Sequence, residues 1–355
     1  MVQIKVNSHQ VDWESLRLLA CQILCKNGLT QQDATLVADS LVQANLRGID
    51  SHGIARLPHY LNRMKHGSIK PTPNMTLTQV ASACAILDGD HGLGQMVMAK
   101  ASDEAVSLAR KAGAGWVSVR NSSHCGALAH YGLQIAKQGM IGLVFTHVDP
   151  MVLPHGSKEP FCGTNPLCIA VAGQGDEHLC LDMATSVVPW NTVANAAHEG
   201  VPIPKGWAVD KDGIDITQAS RVAALYPFGG YKGSGLGLLI DMLCSLLGGS
   251  PYGPDIPKMY GDPSQHRQLG GLVGAIDLSH FIDTNTAQKR VSEMIDRWGN
   301  LQPAETGGQV QYPGQPEVQE RQRRIKNGVP IGHELFKTLN DLAQAYEIDH
   351  LTHQP

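Results

Sequence analysis

The sequence predicts an α/β protein, a sheet with helices packed on it, and three observations carry that reading. Apolar residues recur at helical spacing before residue 70, and six strand-like runs then alternate with helical stretches. At 42% apolar and 17% charged residues, the chain also has the balance of a well-buried globule. Its 355 residues suit two domains, or one large α/β unit with an appended part.

Residues 12–27 place Leu16, Leu19, Ile23 and Leu24 at helical intervals and stop at Asn27-Gly28. Thr30 followed by Asp33 resembles a capping box and opens a second helix, with Ala34, Val37, Ala38, Leu41 and Val42 inward. Gly48 is expected to break it. Ser51 is expected to cap a third helix that carries His52, Arg56 and Tyr60 at four-residue intervals, with Pro58 tolerated only in the first turns. Beyond KPTPN (70–74), strands are expected at 83–89, 115–121, 141–148, 166–172, 179–185 and 269–278. Helices are expected at 94–112, 126–139 and 233–248, and polar surface helices at 315–327 and 332–346. Residues 302–316 read as an ordered loop or linker, and no internal repeat occurs.

A net charge of −4 without a long run of one sign makes nucleic acid and anionic membranes unexpected partners. MVQIKVNSHQ lacks the apolar core of a signal peptide, and the longest apolar stretch (235–249) is interrupted by Asp241 and too short to span a bilayer. Eight cysteines with no CxxC suggest neither a disulfide framework nor a structural zinc site, so a reducing cytoplasm is expected.

Chemistry concentrates where strands end, as in other α/β proteins. In GIDSHGIARLPHY (48–60), a guanidinium at Arg56 suits a carboxylate, an imidazole at His52 suits proton exchange, and a hydroxyl at Tyr60 suits orientation, or the three form a solvated helix edge. NSSHCGALAHYG (121–132) puts His124 at or near a helix N-terminus, as a cap or a functional group. Gly163-Thr164-Asn165-Pro166 is a turn able to bind a cofactor amide or phosphate, or a plain β-turn. LDMATS (181–186) leaves a strand with Asp182, a cap or a site residue. GGYKGSGLG (229–237) opens an apolar helix with Lys232, which suits an anionic group. Neither GxGxxG nor a P-loop occurs, so a Rossmann domain is not expected. A metal-dependent hydrolase or lyase using His124, His147, Asp149 and His155 is the alternative of another class, and a silent binding protein a third; no metal site is expected.

Taken together, Ser51-His52-Gly53 with Arg56, Ser123-His124-Cys125-Gly126, Gly163-Thr164-Asn165-Pro166, Asp182-Met183-Ala184-Thr185, Lys232-Gly233 and Tyr312-Pro313-Gly314 resemble the second-type malate/L-lactate dehydrogenase family. The family is NAD(P)-dependent and unrelated to the Rossmann lactate dehydrogenases. DPMVLP (149–154), AGQGDEHLCLDMAT (172–185) and WAVDKDG (207–213) are most similar to its ureidoglycolate dehydrogenase branch. The resemblance implies a mixed-sheet cofactor domain of non-Rossmann topology (76–285) and a helical domain from the chain's two ends (1–75, with 286–355 packing on it). It also implies a homodimer that transfers a hydride between NAD, or NADP, and a small 2-hydroxy or 2-oxo acid. By the same resemblance, Thr164, Asn165, Asp182, Met183, Ala184, Lys232, Pro313 and Gly314 match cofactor contacts. Gln315 stands where Glu is more usual, and Val148 where the ureidoglycolate branch has a cofactor-contacting Ser. Ser51, Arg56 and Tyr60 are implied to hold substrate. His124 matches the proton acceptor of one branch and His52 the acid/base of another, which leaves open which carries the proton.

Overall fold

The computed structural model describes residues 8–305 and 308–352. A short strand β1 (Ser8–Val11) leads into α1 (Trp13–Lys26), whose first turn is capped by the Asp12 carboxylate accepting from the Ser15 N–H at 2.8 Å. α2 (Gln31–Leu46) begins, as expected, with the Thr30 hydroxyl accepting from the Asp33 N–H. The third helix differs from expectation. Residues 50–52 and 54–56 form two single 3₁₀ turns, and α3 (Leu57–Lys65) starts only at Leu57, with Pro58 in its first turn. Asn45 of α2 causes the break: its Oδ1 accepts from the Ile54 N–H at 2.7 Å, and its Nδ2 donates to Asp50 at 2.6 Å. A Cβ on Gly53 would lie 2.2 Å from Asn45 Oδ1, so the chain can lean on Asn45 only at a glycine. Ser51 is therefore no helix cap, and its hydroxyl bonds to His52 instead.

The central unit follows as β2 (Thr76–Ala81), β3 (Cys84–Asp88), α4 (Gly94–Ala112), β4 (Ala114–Ser122), α5 (Ala129–Ala136), β5 (Met140–Thr146), β6 (Leu167–Ala172) and β7 (His178–Met183). After it come α6 (Trp190–Glu199), the two-residue strands β8 (Ala208–Val209) and β9 (Ala224–Leu225), α7 (Tyr231–Ser245), β10 (Leu269–Asp277) and α8 (Thr284–Gly299). The chain closes with α9 (Gln315–Asn327), β11 (Val329–Gly332) and α10 (His333–Ala345). All six expected strands form. The sheet also contains β2, whose six residues are all exposed and so carry no alternation to read.

Seven strands run in the order β2-β3-β4-β10-β5-β6-β7. Only β3 and β4 are parallel, joined by α4; every other neighbouring pair is antiparallel, so the sheet is mixed and not of Rossmann type. β5 alternates cleanly. Val144 joins the core under α4 and α5 on one face, while Phe145 packs with Ile240 and Cys244 of α7 on the other. β10 is buried almost throughout because helices cover both its faces. A Cβ at Gly270 would stand 2.0 Å from the Cys244 carbonyl oxygen of α7.

A second core unites both ends of the chain. β1 pairs antiparallel with β11, and Val11, Leu16, Leu41, Leu57, Ile331 and Leu339 share one apolar cluster. Arg324 of α9 donates to Asp50 through both terminal nitrogens, at 2.6 and 2.9 Å, so the C-terminal helices pin the 3₁₀ turns that carry His52. A small third core (Val152, Val193, Ile203, Leu225) lies between α6 and β9.

Candidate active site

Ser51, His52 and Arg56 face one cavity together with residues from four strand ends: His124 after β4, Val148 after β5, Thr164 before β6, and Asp182, Met183 and Ala184 at the end of β7. The start of α6 adds Trp190 and Asn191, and the segment before β10 adds Met259 and Tyr260. Nothing in the sequence pattern points to these last four. Trp190 and Asn191 reach the cavity from the first turn of a helix and Met259 and Tyr260 from a turn, and their spacing has no periodicity to betray it.

Two imidazoles stand at the centre. The rings of His52 and His124 are 5.4 Å apart and inclined by 23°. Ser51 Oγ lies 2.8 Å from His52 Nδ1, and Tyr60 Oη lies 2.7 Å from His124 Nδ1. Burial pushes His52 down to about 4, assisted by the Arg56 charge. Burial pushes His124 well below the usual histidine range, with His52 and Arg56 adding to it. Both rings are therefore neutral at physiological pH. Tyr60, expected at the substrate, is fully buried and sits behind His124, where Gln95 Nε2 donates to its hydroxyl at 2.9 Å. His124 does not start a helix either. It lies in the loop before α5, whose N-terminus is capped instead by the Asp182 carboxylate accepting from the Ala129 N–H at 2.7 Å. Burial lifts Asp182 to about 6 against that N–H and the Arg47 charge.

Arg56 supplies the positive charge. Its Nε donates to the Ser51 carbonyl at 2.7 Å and its Nη1 to the Tyr260 hydroxyl at 2.9 Å, while Nη2 makes no bond among the described residues. The wall bearing Tyr260 is anchored by Arg63. This buried guanidinium donates to the carbonyls of Met259 (2.8 Å) and Gln265 (3.0 Å).

The remaining expected residues fall outside this cavity. Asn165 is fully buried: its Oδ1 accepts from the Val148 N–H at 3.2 Å, and its Nδ2 donates to the Gly237 carbonyl at 2.9 Å and to Asp241 at 3.3 Å. Lys232 lies exposed in the first turn of α7, near an apolar groove that begins at Thr185, next to Ala184, and passes Gly233 and Gly237. Pro313 and Gly314 form a turn on β7, where the Pro313 carbonyl accepts from the Cys180 N–H at 3.0 Å, and Gln315 folds back to accept from the Tyr312 N–H.

The donors of the hydrolase reading do not converge. His147 uses both ring nitrogens, Nδ1 to Asp241 (3.0 Å) and Nε2 accepting from the Gly270 N–H (2.8 Å). Asp149 is held by Arg267 at 2.6 Å, and His155 is exposed.

The loop that carries His124 rests on Gly94. A Cβ there would lie 2.3 Å from the Ser123 carbonyl oxygen and 2.6 Å from that of His124. Gly94→Ala is expected to cost about 1–3 kcal/mol of stability by overpacking and to lower turnover by shifting His124. Thermal denaturation and kinetics of the same preparation check both; unchanged values would show that the loop moves freely.

Residues 11–340 match the model of the family described as malate/L-lactate dehydrogenase. The ureidoglycolate dehydrogenase (NAD(+)) of Escherichia coli strain K12 is 35% identical over 330 residues, 93% of this chain and 95% of that protein. The solved sulfolactate dehydrogenase from Methanocaldococcus jannaschii superposes with a TM-score of 0.89 at 34% identity, covering 96% of this chain and 98% of that one. The malate dehydrogenase of Entamoeba histolytica gives 0.92 at 28% identity, covering 97% and 99%. The chain belongs to the malate/L-lactate dehydrogenase family, dehydrogenases that act on hydroxy acids.

Proposed function

We propose that the protein oxidises a small 2-hydroxy acid with NAD, and that (S)-ureidoglycolate, giving oxalurate, is its substrate. The observation that carries the reaction type is one guanidinium beside two stacked, neutral imidazoles in a single cavity at the end of β7. Arg56 grips the carboxylate. One imidazole takes the hydroxyl proton, and the other donates a hydrogen bond to the same oxygen while it becomes a carbonyl. A bound nicotinamide supplies the acceptor for the hydride that leaves the hydroxyl carbon. The donor set suits a dinucleotide. The groove from Thr185 to α7 is kept open by Gly237, where a Cβ would press to 3.0 Å from Thr185 Oγ1, and neither α7 nor α9 has a side-chain cap at its N-terminus. NAD is preferred to NADP because the ureidoglycolate relative is named for NAD(+).

Arg56 is the only Lys or Arg among the described residues lining the cavity. Malate and sulfolactate carry a second anionic arm that would find no partner there, whereas the neutral ureido tail can bond to Asn191 and Tyr260. The assay is nicotinamide absorbance with NAD and NADP against ureidoglycolate, malate, lactate and sulfolactate. A higher kcat/KM for malate or sulfolactate would overturn the substrate, and no turnover of any of them the reaction. The same reading places the enzyme in the cytoplasm, in keeping with its eight unpaired cysteines. It also makes the enzyme a homodimer, with the exposed Leu238, Leu239 and Met242 of α7, and Leu246 just after it, as an apolar face for a second copy.

The pH dependence differs from the expectation for an ordinary histidine. A base held at about 4 stays unprotonated through the mildly acidic range, so kcat/KM for oxidation is expected to stay level down to about pH 5 and then fall. A limb near 6 that vanishes in Asp182→Asn would report that carboxyl; one that persists would overturn the assignment.

A further inference from the structure

We infer that Gln95, which does not touch the cavity, fixes through Tyr60 which nitrogen of His124 carries the proton, making His124 the hydrogen-bond donor of the pair and His52 the proton acceptor. The roles rest on the dehydrogenase reading above; the position of the proton does not.

Gln95 is fully buried in the first turn of α4, and its Nε2 donates to the Tyr60 hydroxyl at 2.9 Å. A phenol has one proton to give. With an N–H aimed at its oxygen, Tyr60 gives that proton to its other neighbour, His124 Nδ1, 2.7 Å away. The Gly126 N–H points at the same Nδ1 from 3.4 Å. Two donors on one ring nitrogen require a lone pair there, so the neutral ring carries its proton on Nε2. That leaves His124 an N–H to offer the cavity and no lone pair for a substrate proton.

His52 is not bound in this way. Its Nδ1 meets a serine hydroxyl, which rotates to donate or to accept, so Nε2 can present its lone pair. Of the two rings, His52 alone is free to act as base.

A second observation supports the orientation of the amide. Gln95 Oε1 is buried and has no hydrogen-bond partner. Turning the amide round would leave its NH₂ bare instead, the rarer and costlier state, and would set an Nδ1–H against the Gly126 N–H. Tyr60 itself passes no proton on, because burial pushes its hydroxyl well above the usual phenol range. Gln95 and Tyr60 are thus positioning residues.

The test begins without substrate. In full-length protein labelled with ¹⁵N-histidine, the His124 signals, identified by their loss in His124→Gln, are expected to show a protonated Nε2 and a bare Nδ1. The opposite pattern overturns the inference even if the enzyme is an excellent dehydrogenase. In Gln95→Met the single tautomer is expected to give way to a mixture, with kcat falling about tenfold at nearly constant KM. A folded Gln95→Met protein with one unchanged tautomer and full kcat would remove Gln95 from the account. The roles are read from two further variants. Glutamine keeps an N–H donor but cannot act as a base, so His124→Gln is expected to stay within about tenfold of the parent while His52→Gln loses about 10²- to 10⁴-fold. The reverse order would make His124 the base.

Discussion

Replacing Arg56 by methionine is expected to lower kcat/KM for the 2-hydroxy acid by roughly 30- to 5000-fold, most of it through KM. The figure follows from losing one partner of a desolvated, hydrogen-bonded charge pair, about 2–5 kcal/mol. Methionine keeps the length of the side chain but offers no N–H. The bonds to the Ser51 carbonyl and the Tyr260 hydroxyl are lost with the carboxylate grip. Arg56→Lys is expected to recover little, since an ammonium cannot donate in parallel to both carboxylate oxygens. Steady-state kinetics with the preferred acid decide the matter, with circular dichroism to show that the fold survives. A fall below fivefold in Arg56→Met would mean that the carboxylate is held elsewhere.

The second large effect is on stability. Asp241 is 2% exposed, and its carboxylate accepts from His147 Nδ1 and from Asn165 Nδ2. His147 reaches on to the Gly270 N–H of β10, and Asn165 holds the Val148 N–H at the cavity. Asp241→Leu leaves two buried donors unsatisfied, at about 3–5 kcal/mol together, and is expected to lower Tm by on the order of 10 °C. Asp241→Asn keeps one acceptor oxygen and is expected to lose less. Denaturant unfolding of both variants measures the difference; an Asp241→Leu protein within about 1 kcal/mol of the parent would show that the network is not what holds α7 to the sheet.

Much of the fold is legible in the sequence because burial is periodic in most of its elements. α4 covers the expected 94–112, and its apolar positions are inward at helical spacing. The longer strands that alternate or are largely apolar, β3 to β7 and β10, also stand where runs of that texture occur, whereas β8 and β9, of two residues each, are too short to read. Elements without that texture stay hidden. β2 is a fully exposed edge strand, β1 and β11 are four residues each, and α8 is largely polar, marked only by the Asp283 cap on Thr286. At the site, His52, Arg56 and His124 stand out as residues able to do chemistry. Gln95 reads as one polar position in an apolar helix, and Tyr260 as part of a turn. Their contacts to Tyr60 and Arg56 span 35 and 204 residues, a distance no local pattern records.

The place of β10 has a consequence for how the chain is made. β4 and β5 are both complete before residue 150, yet the strand that lies between them is 269–277. On the ribosome, these two strands must wait, each with one edge unpaired, until more than a hundred further residues have been added. The sheet can close only once residues 269–277 have been made, and β1 waits longer still, for β11. A nascent chain halted before residue 269 would therefore expose two sticky strand edges, a natural target for chaperones.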